Sequence, residues 1–506
     1  MHRRTFVAAS AAALIGSRRV VAADAEIELT PGSPGAAISP HLYGHFIEHL
    51  GGVIYDGIWV GKRSKVANTE GIRTQFIEDM KRIGAPNLRW PGGCFADGYH
   101  WRDGIGPAAQ RPRTYNYWQR QMPKGSDATE TNQFGLHEFM RLCRLVGAQP
   151  YLAANVGSGS PKEFHDWVSY CNAPAGTLTL ADERAANGDR APFAVQFWGV
   201  GNESWGCGGT MRPGEYATQY RQFVTQFPAY TAPFLVATGP RGHSADGDIG
   251  WTTGFFEGMR GSRLPDGFSV HFYTDLRPTR FKAGEFNADE WHEVLRRGVR
   301  LEKIIAGHWA EMGKFDPEHR VKLVVDEWGV WYPPGEEIAP GYILSQPITL
   351  REAIHTGLTF DIFNRHAEKI AMANVAQTIN CIHSLFLAHG DQFHRTPAYY
   401  VFDMYRPHMG ARQVAARATT SAISCSASVQ DRRLTVTVTN PSLDDTVAVR
   451  LRGVQAAEAR ATVLTHDDMR AADVRPAPLK VEVRNGGVEF TAPKKSVIAV
   501  EVVAVG

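Results

Sequence analysis

The sequence lacks an excess of charge of either sign. Lys and Arg number 54 and Asp and Glu 52, so the formal net charge is +2 over 506 residues. This balance gives no reason to expect nucleic acid or a strongly acidic molecule as a partner. Charged residues make up 21% and hydrophobic residues 43%, which excludes a disordered or collagen-like chain. The length predicts about two to four domains, or one large barrel with a smaller partner.

Cysteine is scarce as well, with six residues in the chain. They form no Cys-x-x-Cys pair and are too sparse for a disulfide scaffold. We therefore expect mostly free, buried thiols, and the spacing leaves open one or two disulfides. The six are Cys94, Cys143, Cys171, Cys207, Cys381 and Cys425.

The sequence also lacks an N-terminal hydrophobic run long enough to span a bilayer, so no membrane anchor is expected. Its short apolar stretch, residues 7–16, lies between Arg3-Arg4 and Arg18-Arg19, and small residues follow near position 23. This pattern predicts an export signal of the twin-arginine type in residues 1–25, with a basic N-terminal helix as the alternative. The mature protein would then be periplasmic or extracellular and nearly neutral.

Strand-like apolar runs alternate with helical patterns from about residue 41 to 405. Ser160, Pro161 and Glu163, for example, mark the start of a helix by their capping pattern. Repeated strand, loop and helix predict an α/β fold, here a (β/α)8 barrel as the catalytic domain. The predicted strands include 86–90, 150–155, 195–200, 234–237, 268–272 and 321–325.

The tail has a different pattern. Residues 434–440, 447–451 and 481–484 alternate apolar and polar side chains, and Asn485-Gly486-Gly487 predicts a hairpin turn. Residues 412–506 are therefore predicted to form an antiparallel β-sandwich. The strand-like segment 26–40 is expected to pair with it.

Two glutamates stand at the ends of predicted barrel strands. Glu203 closes Gly201-Asn202-Glu203 after strand 195–200, and Glu327 follows Asp326 after strand 321–325. The spacing fits strands four and seven, whose carboxyl ends carry the chemistry of such barrels. Two carboxylates at that face are the minimum for glycoside hydrolysis, one as an acid and one as a nucleophile. The alternative is two unrelated structural salt bridges.

A second motif, His45-x-x-Glu48-His49, matches an inverted zinc-hydrolase pattern. That pattern requires a helix, but Gly44 and Gly51-Gly52 leave room for only about two turns. The segment also falls where the first barrel strand is due. A zinc hydrolase therefore remains an alternative, and the expectation is no metal.

A third motif is Pro91-Gly92-Gly93-Cys94, directly after Arg89-Trp90. Pro-Gly-Gly permits a tight turn and a close approach of backbone to a ligand, but the motif lacks the lysine of a phosphate-binding loop. His271-Phe272-Tyr273 closes the strand predicted at 268–272, and the alternation of a strand lets His271 and Tyr273 face the same side.

Taken in order, these motifs resemble glycoside hydrolase family 51, whose best-known members are α-L-arabinofuranosidases. The resemblance spans residues 42 to about 380, most of the chain. The matching blocks are Tyr-Gly-His-Phe-Ile-Glu-His (43–49), Arg-Trp-Pro-Gly-Gly (89–93), Asp-Gly-Ile-Gly-Pro (103–107), Glu-Thr-Asn-Gln-Phe-Gly (130–135), Gly-Asn-Glu (201–203), Asp-Glu-Trp (326–328) and Met-Ala-Asn-Val-Ala-Gln (372–377).

The resemblance implies that Glu203 is the acid/base and Glu327 the nucleophile of a two-step mechanism. It requires the two carboxyl groups to lie about 5 Å apart, with the pKa of Glu203 raised and Glu327 ionised. Among the binding residues, Asn202 would hold the sugar 2-hydroxyl and Tyr273 would steady the nucleophile. The implied substrate-binding set is Glu48, Arg89, Cys94, Asn202, His271, Tyr273 and Gln377.

The sequence departs from the family at two of these places. Cys94 lies where well-known members carry an Asn, and a thiol is a weak hydrogen-bonding group, so binding at one hydroxyl should weaken. Gly329 replaces an Asn after the nucleophile, which is expected to open space beside Glu327.

The resemblance implies a retaining exo-glycosidase that releases terminal non-reducing α-L-arabinofuranosyl residues from plant polysaccharides or oligosaccharides. It also implies no cofactor and the ability to form a homo-oligomer. Two alternatives stay open: the same site acting on a β-xyloside or β-glucan, and a non-catalytic carbohydrate-binding protein. Trp90, Trp205, Trp328 and Trp331 lie at the motifs, as sugar platforms or as core.

Overall fold

The computed structural model describes residues 25–119, 128–228, 230, 232–338 and 341–504. The predicted export signal lies outside the described residues, except for Ala25. Within the described residues, no helix has both the length and the apolar character needed to cross a membrane.

A closed barrel of parallel strands forms the centre of the molecule. Each strand pairs with the next along the chain, and the last pairs with the first. The strands are short and almost wholly buried, because the barrel core lies on one side and helices cover the other. They are β1 (Gly44–Phe46), β2 (Asn87–Trp90), β3 (Gln149–Ala154), β4 (Phe197–Val200), β5 (Phe234–Ala237), β6 (Gly267–Asp275), β7 (Lys322–Trp331) and β8 (Ile370–Val375).

The α-helices connect and cover these strands. In α1, the apolar residues Phe76, Ile77, Met80 and Ile83 follow helical spacing and are all buried on one face. The predicted start of α3 is confirmed, since the Ser160 hydroxyl accepts the Glu163 amide at 3.2 Å. The helices of the described residues are α1 (Thr74–Ile83), α2 (Leu136–Val146), α3 (Pro161–Asn172), α4 (Thr179–Ala186), α5 (Pro213–Val224), α6 (Ile249–Gly258), α7 (Ala288–Gly298), α8 (Arg300–Met312), α9 (Leu350–Arg365) and α10 (Pro397–Tyr405).

Apolar side chains fill the inside of the barrel near the amino ends of its strands. They come from five different strands and form one buried cluster, so the interior is a packed core and not a channel. A ligand can therefore reach the barrel axis only from the carboxyl ends. The cluster consists of Tyr151, Phe197, Val236, Val324 and Met372.

Two β-sheets form a second domain that is built mainly from the C-terminal part of the chain. Their apolar faces share a core separate from that of the barrel. One sheet has the order Arg412–Val414, Ser424–Gln430, Arg433–Asn440, Ser496–Ala504, Ala456–Thr465 and Ala477–Leu479. The other has the order Ala416–Ala418, Ala25–Leu29, Val447–Arg452, Gly487–Ala492 and Val481–Arg484.

The N-terminal strand Ala25–Leu29 lies inside the second sheet. It is antiparallel to Ala416–Ala418 and parallel to Val447–Arg452, so this sheet is mixed rather than purely antiparallel. The predicted turn at residues 485–487 is present, with φ of 50° at Asn485 and 76° at Gly486. Short ribbons lie outside these sheets, at Asn68–Thr69 with Ile72–Arg73, Thr114–Tyr115 with Thr129–Glu130, and Phe386–His389 with Gln392–Arg395.

A buried carboxylate joins the barrel to the sandwich. Asp361 of α9 accepts hydrogen bonds at Oδ1 from Tyr405, Ser426 and Thr437, at 2.9, 3.0 and 3.0 Å. Its Oδ2 accepts from Thr439 at 3.2 Å. Burial raises the pKa of Asp361, and hydroxyl donors from both domains oppose that shift. The domains therefore share a polar network as well as apolar contacts.

Candidate active site

Glu203 and Glu327 belong to the fourth and seventh barrel strands, as predicted, although β7 continues for four residues after Glu327, to Trp331. Nearest oxygen atoms of the two carboxylates are within 4.8 Å of each other. Glu203 lies in the loop that follows β4, whereas Glu327 lies on β7 itself. The two side chains therefore share one site at the mouth of the barrel.

His271 of β6 lies between the two carboxylates. Its Nδ1 is 2.9 Å from Glu203 Oε1 and 3.4 Å from Glu327 Oε2. The other ring nitrogen, Nε2, is 3.4 Å from Asp326 Oδ1. Burial alone would lower the pKa of His271, but the surrounding carboxylates, Glu327 foremost, outweigh it and raise that pKa to about 10. His271 is therefore protonated at neutral pH in the ligand-free site.

Arg89 and Tyr273 each donate to a different oxygen of Glu327. Arg89 Nη1 is 2.7 Å from Oε1, and the Tyr273 hydroxyl is 2.8 Å from Oε2. The guanidinium is also buried against Asn202, whose Oδ1 accepts from Nη2 at 2.7 Å. Glu327 therefore has a fixed cation and a fixed hydroxyl, whereas Glu203 has no direct contact with Arg89 among the described residues.

The pKa directions of the ligand-free site differ from those expected for the two roles. Burial would raise the pKa of Glu203, but its hydrogen bond and charge contact with His271 outweigh burial and lower it. Burial raises the pKa of Glu327, opposed by His271 and Arg89. Since His271 carries a proton 2.9 Å from Glu203, moving that one proton onto Glu203 produces the acid without adding a proton to the site.

Glu48 binds the turn that follows β2. Its Oε1 accepts the amides of Gly93 and Phe95, both at 2.9 Å, and its Oε2 accepts Gln377 Nε2 at 2.8 Å. Burial, with the charge of Glu327 adding to it, raises the pKa of Glu48 to about 7. Gly93 is required by close approach, because a Cβ there would lie 2.6 Å from Glu327 Oε1. The structure thus brings Glu48 and Gln377 to the same site as the carboxylate pair.

Cys94 is not a free thiol, which corrects the sequence prediction for this residue. It forms a disulfide with Cys207, 113 residues later, across the loops that follow β2 and β4. The other four cysteines are free and buried, as expected. Sequence alone could not pair two cysteines on separate loops, since only the closed barrel brings them together.

The residues of the zinc-hydrolase pattern do not converge on one point. His45 lies on β1 and stacks on Phe402, with ring centroids 5.1 Å apart. His49 Nδ1 is 2.8 Å from Glu130, and its Nε2 accepts Trp90 Nε1 at 3.1 Å. With Glu48 directed to Gln377, the three side chains cannot share an ion, so the zinc alternative is wrong.

Gly329 does not open space beside the nucleophile, contrary to the sequence expectation. A Cβ at this position would lie 2.6 Å from His383 Cβ and 3.1 Å from the Ala376 carbonyl oxygen. His383 therefore fills the volume that a side chain at position 329 would need. This backbone passes too close to the loop after β8 for any larger residue.

Asp326 is a site residue that the motif analysis did not single out. Its Oδ2 accepts from the Tyr151 hydroxyl at 2.7 Å and lies 3.6 Å from Arg89 Nε, and its Oδ1 accepts from Ser269 at 2.5 Å. Neighbouring strand residues normally face opposite sides, but the pairing of β7 shifts register on both sides at this point. The bulge directs both Asp326 and Glu327 inward, and Asp326 fixes Arg89 and His271 from below.

Comparison with known proteins shows which class of protein this chain belongs to. A family model described as "Alpha-L-arabinofuranosidase 1 domain" matches residues 79–275, and one described as "Alpha-L-arabinofuranosidase C-terminal domain" matches residues 326–500. Together with the barrel and its paired carboxylates, these matches define a barrel glycoside hydrolase.

Relatives of known identity narrow this class. The chain is 34% identical to an "Intracellular exo-alpha-L-arabinofuranosidase" of Bacteroides ovatus, over 92% of this chain and 93% of that protein. A GH51 arabinofuranosidase structure from Xanthomonas axonopodis pv. citri superposes with a TM-score of 0.88, at 36% identity, covering 95% of this chain and all of that one. An arabinose complex of the Thermotoga maritima α-L-arabinofuranosidase gives 0.82 at 28% identity, with 95% and 100% covered. The chain therefore belongs to the α-L-arabinofuranosidases of glycoside hydrolase family 51.

Two sequence interpretations are corrected by these relatives. The prediction of export is contradicted, because the Bacteroides ovatus relative is described as intracellular. The basic start and short apolar run of residues 1–25 are a local pattern, which does not by itself determine export. The non-catalytic alternative is also wrong, since the matched relatives are enzymes.

Proposed function

We propose that the chain is a retaining exo-enzyme that removes terminal non-reducing α-L-arabinofuranosyl residues from plant polysaccharides or oligosaccharides. The observation that carries the mechanism is the approach of Glu203 and Glu327 oxygens to within 4.8 Å. Retaining glycosidases separate their carboxyl groups by about 5–5.5 Å, and inverting ones by about 6.5–9.5 Å to admit a water. The exo mode is supported by the name of the Bacteroides ovatus relative.

In the first step, Glu327 attacks the anomeric carbon while Glu203 protonates the leaving oxygen. Arg89 and Tyr273 favour the ionised form of Glu327, because each donates to one of its oxygens. The proton for Glu203 comes from its hydrogen bond with His271, which is left neutral and still held by Asp326. Arabinofuranosyl–Glu327 and the free alcohol are the products.

In the second step, Glu203 is a carboxylate and acts as a base. It removes a proton from water, which attacks the anomeric carbon and releases arabinose from Glu327. His271 can accept that proton in turn, restoring the starting state. Two inversions at the same carbon give net retention of configuration.

The sugar itself would lie among Glu48, Arg89, Asn202 and Gln377, whose polar groups surround the carboxylate pair. Trp90 and Trp328 are fully buried and belong to the core. Trp205 and Trp331 are partly exposed. Arg241 lies over the Trp205 ring at 5.4 Å, and Arg277 over the Trp331 ring at 3.8 Å. These two indoles would carry the remainder of the glycan.

A rate panel tests the assignment. Wild type is assayed on 4-nitrophenyl α-L-arabinofuranoside, 4-nitrophenyl β-xyloside and soluble β-glucan, beside Glu327→Ala and Glu203→Ala. We expect turnover of the arabinofuranoside that Glu327→Ala abolishes, and NMR of a methanolysis reaction should give the α-anomer first. Dominant xyloside or glucan turnover would overturn the substrate, and an inverted product would overturn the mechanism.

Oligomeric state is a separate part of the proposal. Family resemblance predicts a homo-oligomer, and size-exclusion chromatography with light scattering measures it directly. A mass of 55.8 kDa at all concentrations would contradict the prediction.

A further inference from the structure

The Cys94–Cys207 disulfide lies directly against the carboxylate of Glu203. The two sulfur atoms are 3.8 and 3.7 Å from Glu203 Oε2. Sulfur atoms in a disulfide carry no proton, so neither contact is a hydrogen bond. The disulfide therefore offers no hydrogen-bond donor to Glu203 Oε2.

The two oxygens of Glu203 consequently have different surroundings. Oε1 is engaged by His271 Nδ1 at 2.9 Å. Oε2 lies against the two sulfurs, and among the described residues no N–H or O–H group donates a hydrogen bond to it. The Oε2 position is therefore the one left free to face the leaving group, and a proton that Oε1 receives from His271 reaches that position when the carboxyl group rotates.

Contacts other than the disulfide hold the two cysteines in place. The amides on either side of Cys94, those of Gly93 and Phe95, both donate to Glu48. On the other loop, the amides of Gly206 and Gly208 donate to the Glu203 carbonyl oxygen at 2.6 and 3.1 Å. Cleaving the S–S bond thus leaves both cysteines beside Oε2.

We propose that the Cys94–Cys207 bond is a positioning element for Glu203, that it keeps Oε2 free of donors, and that its reduction slows protonation of the leaving group. The inference rests on the proposed role of Glu203 as acid/base. It concerns a pair of residues that act through Glu203, without contact to the reacting atoms.

Reduction is a two-electron exchange with a dithiol. The S–S bond breaks, Cys94 and Cys207 each gain one electron and one proton, and the dithiol closes to a cyclic disulfide. Cys207 is exposed at the mouth of the site, so a small dithiol can reach it, whereas the four free cysteines are buried. The two new S–H groups can donate to Oε2, and donation to a carboxylate favours its ionised form.

The test compares four forms of the full-length protein: oxidised wild type, wild type reduced with dithiothreitol, Cys94→Ala/Cys207→Ala and Cys94→Ser/Cys207→Ser. The alanine variant removes the bond without adding donors, and the serine variant removes it and adds two hydroxyl donors. Each form is assayed for kcat/KM against pH on a methyl arabinofuranoside, which needs acid assistance, and on a 2,4-dinitrophenyl arabinofuranoside, which needs little. Thermal unfolding monitors the fold of each form.

We expect the alkaline limb of the methyl-glycoside profile to move down by about half to one pH unit in reduced wild type and in the serine variant. The alanine variant should keep the limb of the oxidised protein, with or without dithiothreitol. At a pH above the limb, the rate loss should be about three- to tenfold on the methyl glycoside and smaller on the dinitrophenyl one.

Identical limbs in all four forms would overturn the proposal, as would an alanine variant that shifts like the reduced protein, since the bond would then be merely structural. If the alanine pair does not fold, Cys94→Val/Cys207→Val takes its place as the form without donors, because a single substitution would leave the other cysteine as an S–H donor to Oε2. Glu203→Ala separates a failure of the disulfide proposal from a failure of the proposed acid/base role of Glu203. If it still hydrolyses the methyl glycoside at the wild-type rate, then the acid/base role itself fails.

Discussion

Replacing Tyr273 with phenylalanine tests how the proposed nucleophile is held. The Tyr273 hydroxyl donates to Glu327 Oε2 at 2.8 Å, opposite Arg89, which donates to Oε1 at 2.7 Å. A phenylalanine ring would keep the edge-on contact with Trp331, whose centroid is 5.1 Å away. The substitution thus removes one hydrogen bond and almost no packing.

The size of the effect follows from the charge on the acceptor. A hydrogen bond to an ionised group contributes about 1.5–3 kcal/mol, and about 1.4 kcal/mol corresponds to a factor of ten in rate. We therefore expect kcat/KM to fall roughly 10- to 100-fold. Since a donor favours the ionised carboxylate, losing it raises the pKa of Glu327 and moves the acidic limb of the pH profile to higher pH.

The assay is kcat/KM on 4-nitrophenyl α-L-arabinofuranoside from about pH 4 to 9 for wild type and Tyr273→Phe. Tyr43→Phe is the matched control, because it deletes a buried tyrosine hydroxyl that donates to Asn364 at 2.7 Å, away from the carboxylate pair. The control should lose stability without moving the acidic limb. An unmoved limb in Tyr273→Phe, with less than about threefold loss of rate, would refute the assigned contact.

Three further predictions concern other parts of the site and the domain junction. Glu48→Gln should raise KM and lower kcat/KM roughly tenfold or more, because its oxygens hold the Gly93 turn and Gln377; steady-state kinetics with unchanged KM would contradict this. Asp361→Ala should lower the free energy of unfolding by about 3 kcal/mol in denaturant titration, because it leaves buried hydroxyl groups of both domains without their acceptor. An unchanged denaturation midpoint would count against the network. His271→Asn should cost more stability at pH 6 than at pH 10. The raised pKa of about 10 means that the charge of His271 stabilises fully below about pH 6.5 and is lost as pH rises through 10; equal losses at both pH values would disprove it.

Much of the barrel was predictable because its strands are short apolar runs bounded by turn residues. The prediction for 234–237 matches β5 at both ends. The prediction for β2 begins one residue too early, and the prediction for β3 begins and ends one residue too late. The β6 and β7 strands extend further than predicted, to Asp275 and Trp331. Their later parts contain the polar site residues Tyr273, Asp326 and Glu327, so hydrophobicity alone ends the strands too early.

The site residues also divide into those that the sequence could predict and those that depend on the folded structure. Glu203, Glu327 and Arg89 stand at strand ends in recognisable motifs, so sequence could place them at one face of a barrel. The inward position of Asp326 depends on the bulge in β7, which no local pattern announces. The Cys94–Cys207 bond and the filling of the Gly329 space by His383 depend on loops that meet only after the barrel closes.

The inner position of Ala25–Leu29, second of the five strands of its sheet, has a consequence for the order of folding. This strand is among the first described residues to leave the ribosome, but its parallel neighbour Val447–Arg452 is made more than 400 residues later. Its antiparallel neighbour Ala416–Ala418 is also made only after the barrel strands, so the whole barrel can close before either edge of Ala25–Leu29 has a sheet partner. Such a long-range pairing is slow to form and depends on completion of the chain. The sandwich is therefore the last part to assemble, and a fragment that begins after residue 40 would lack one of its inner strands.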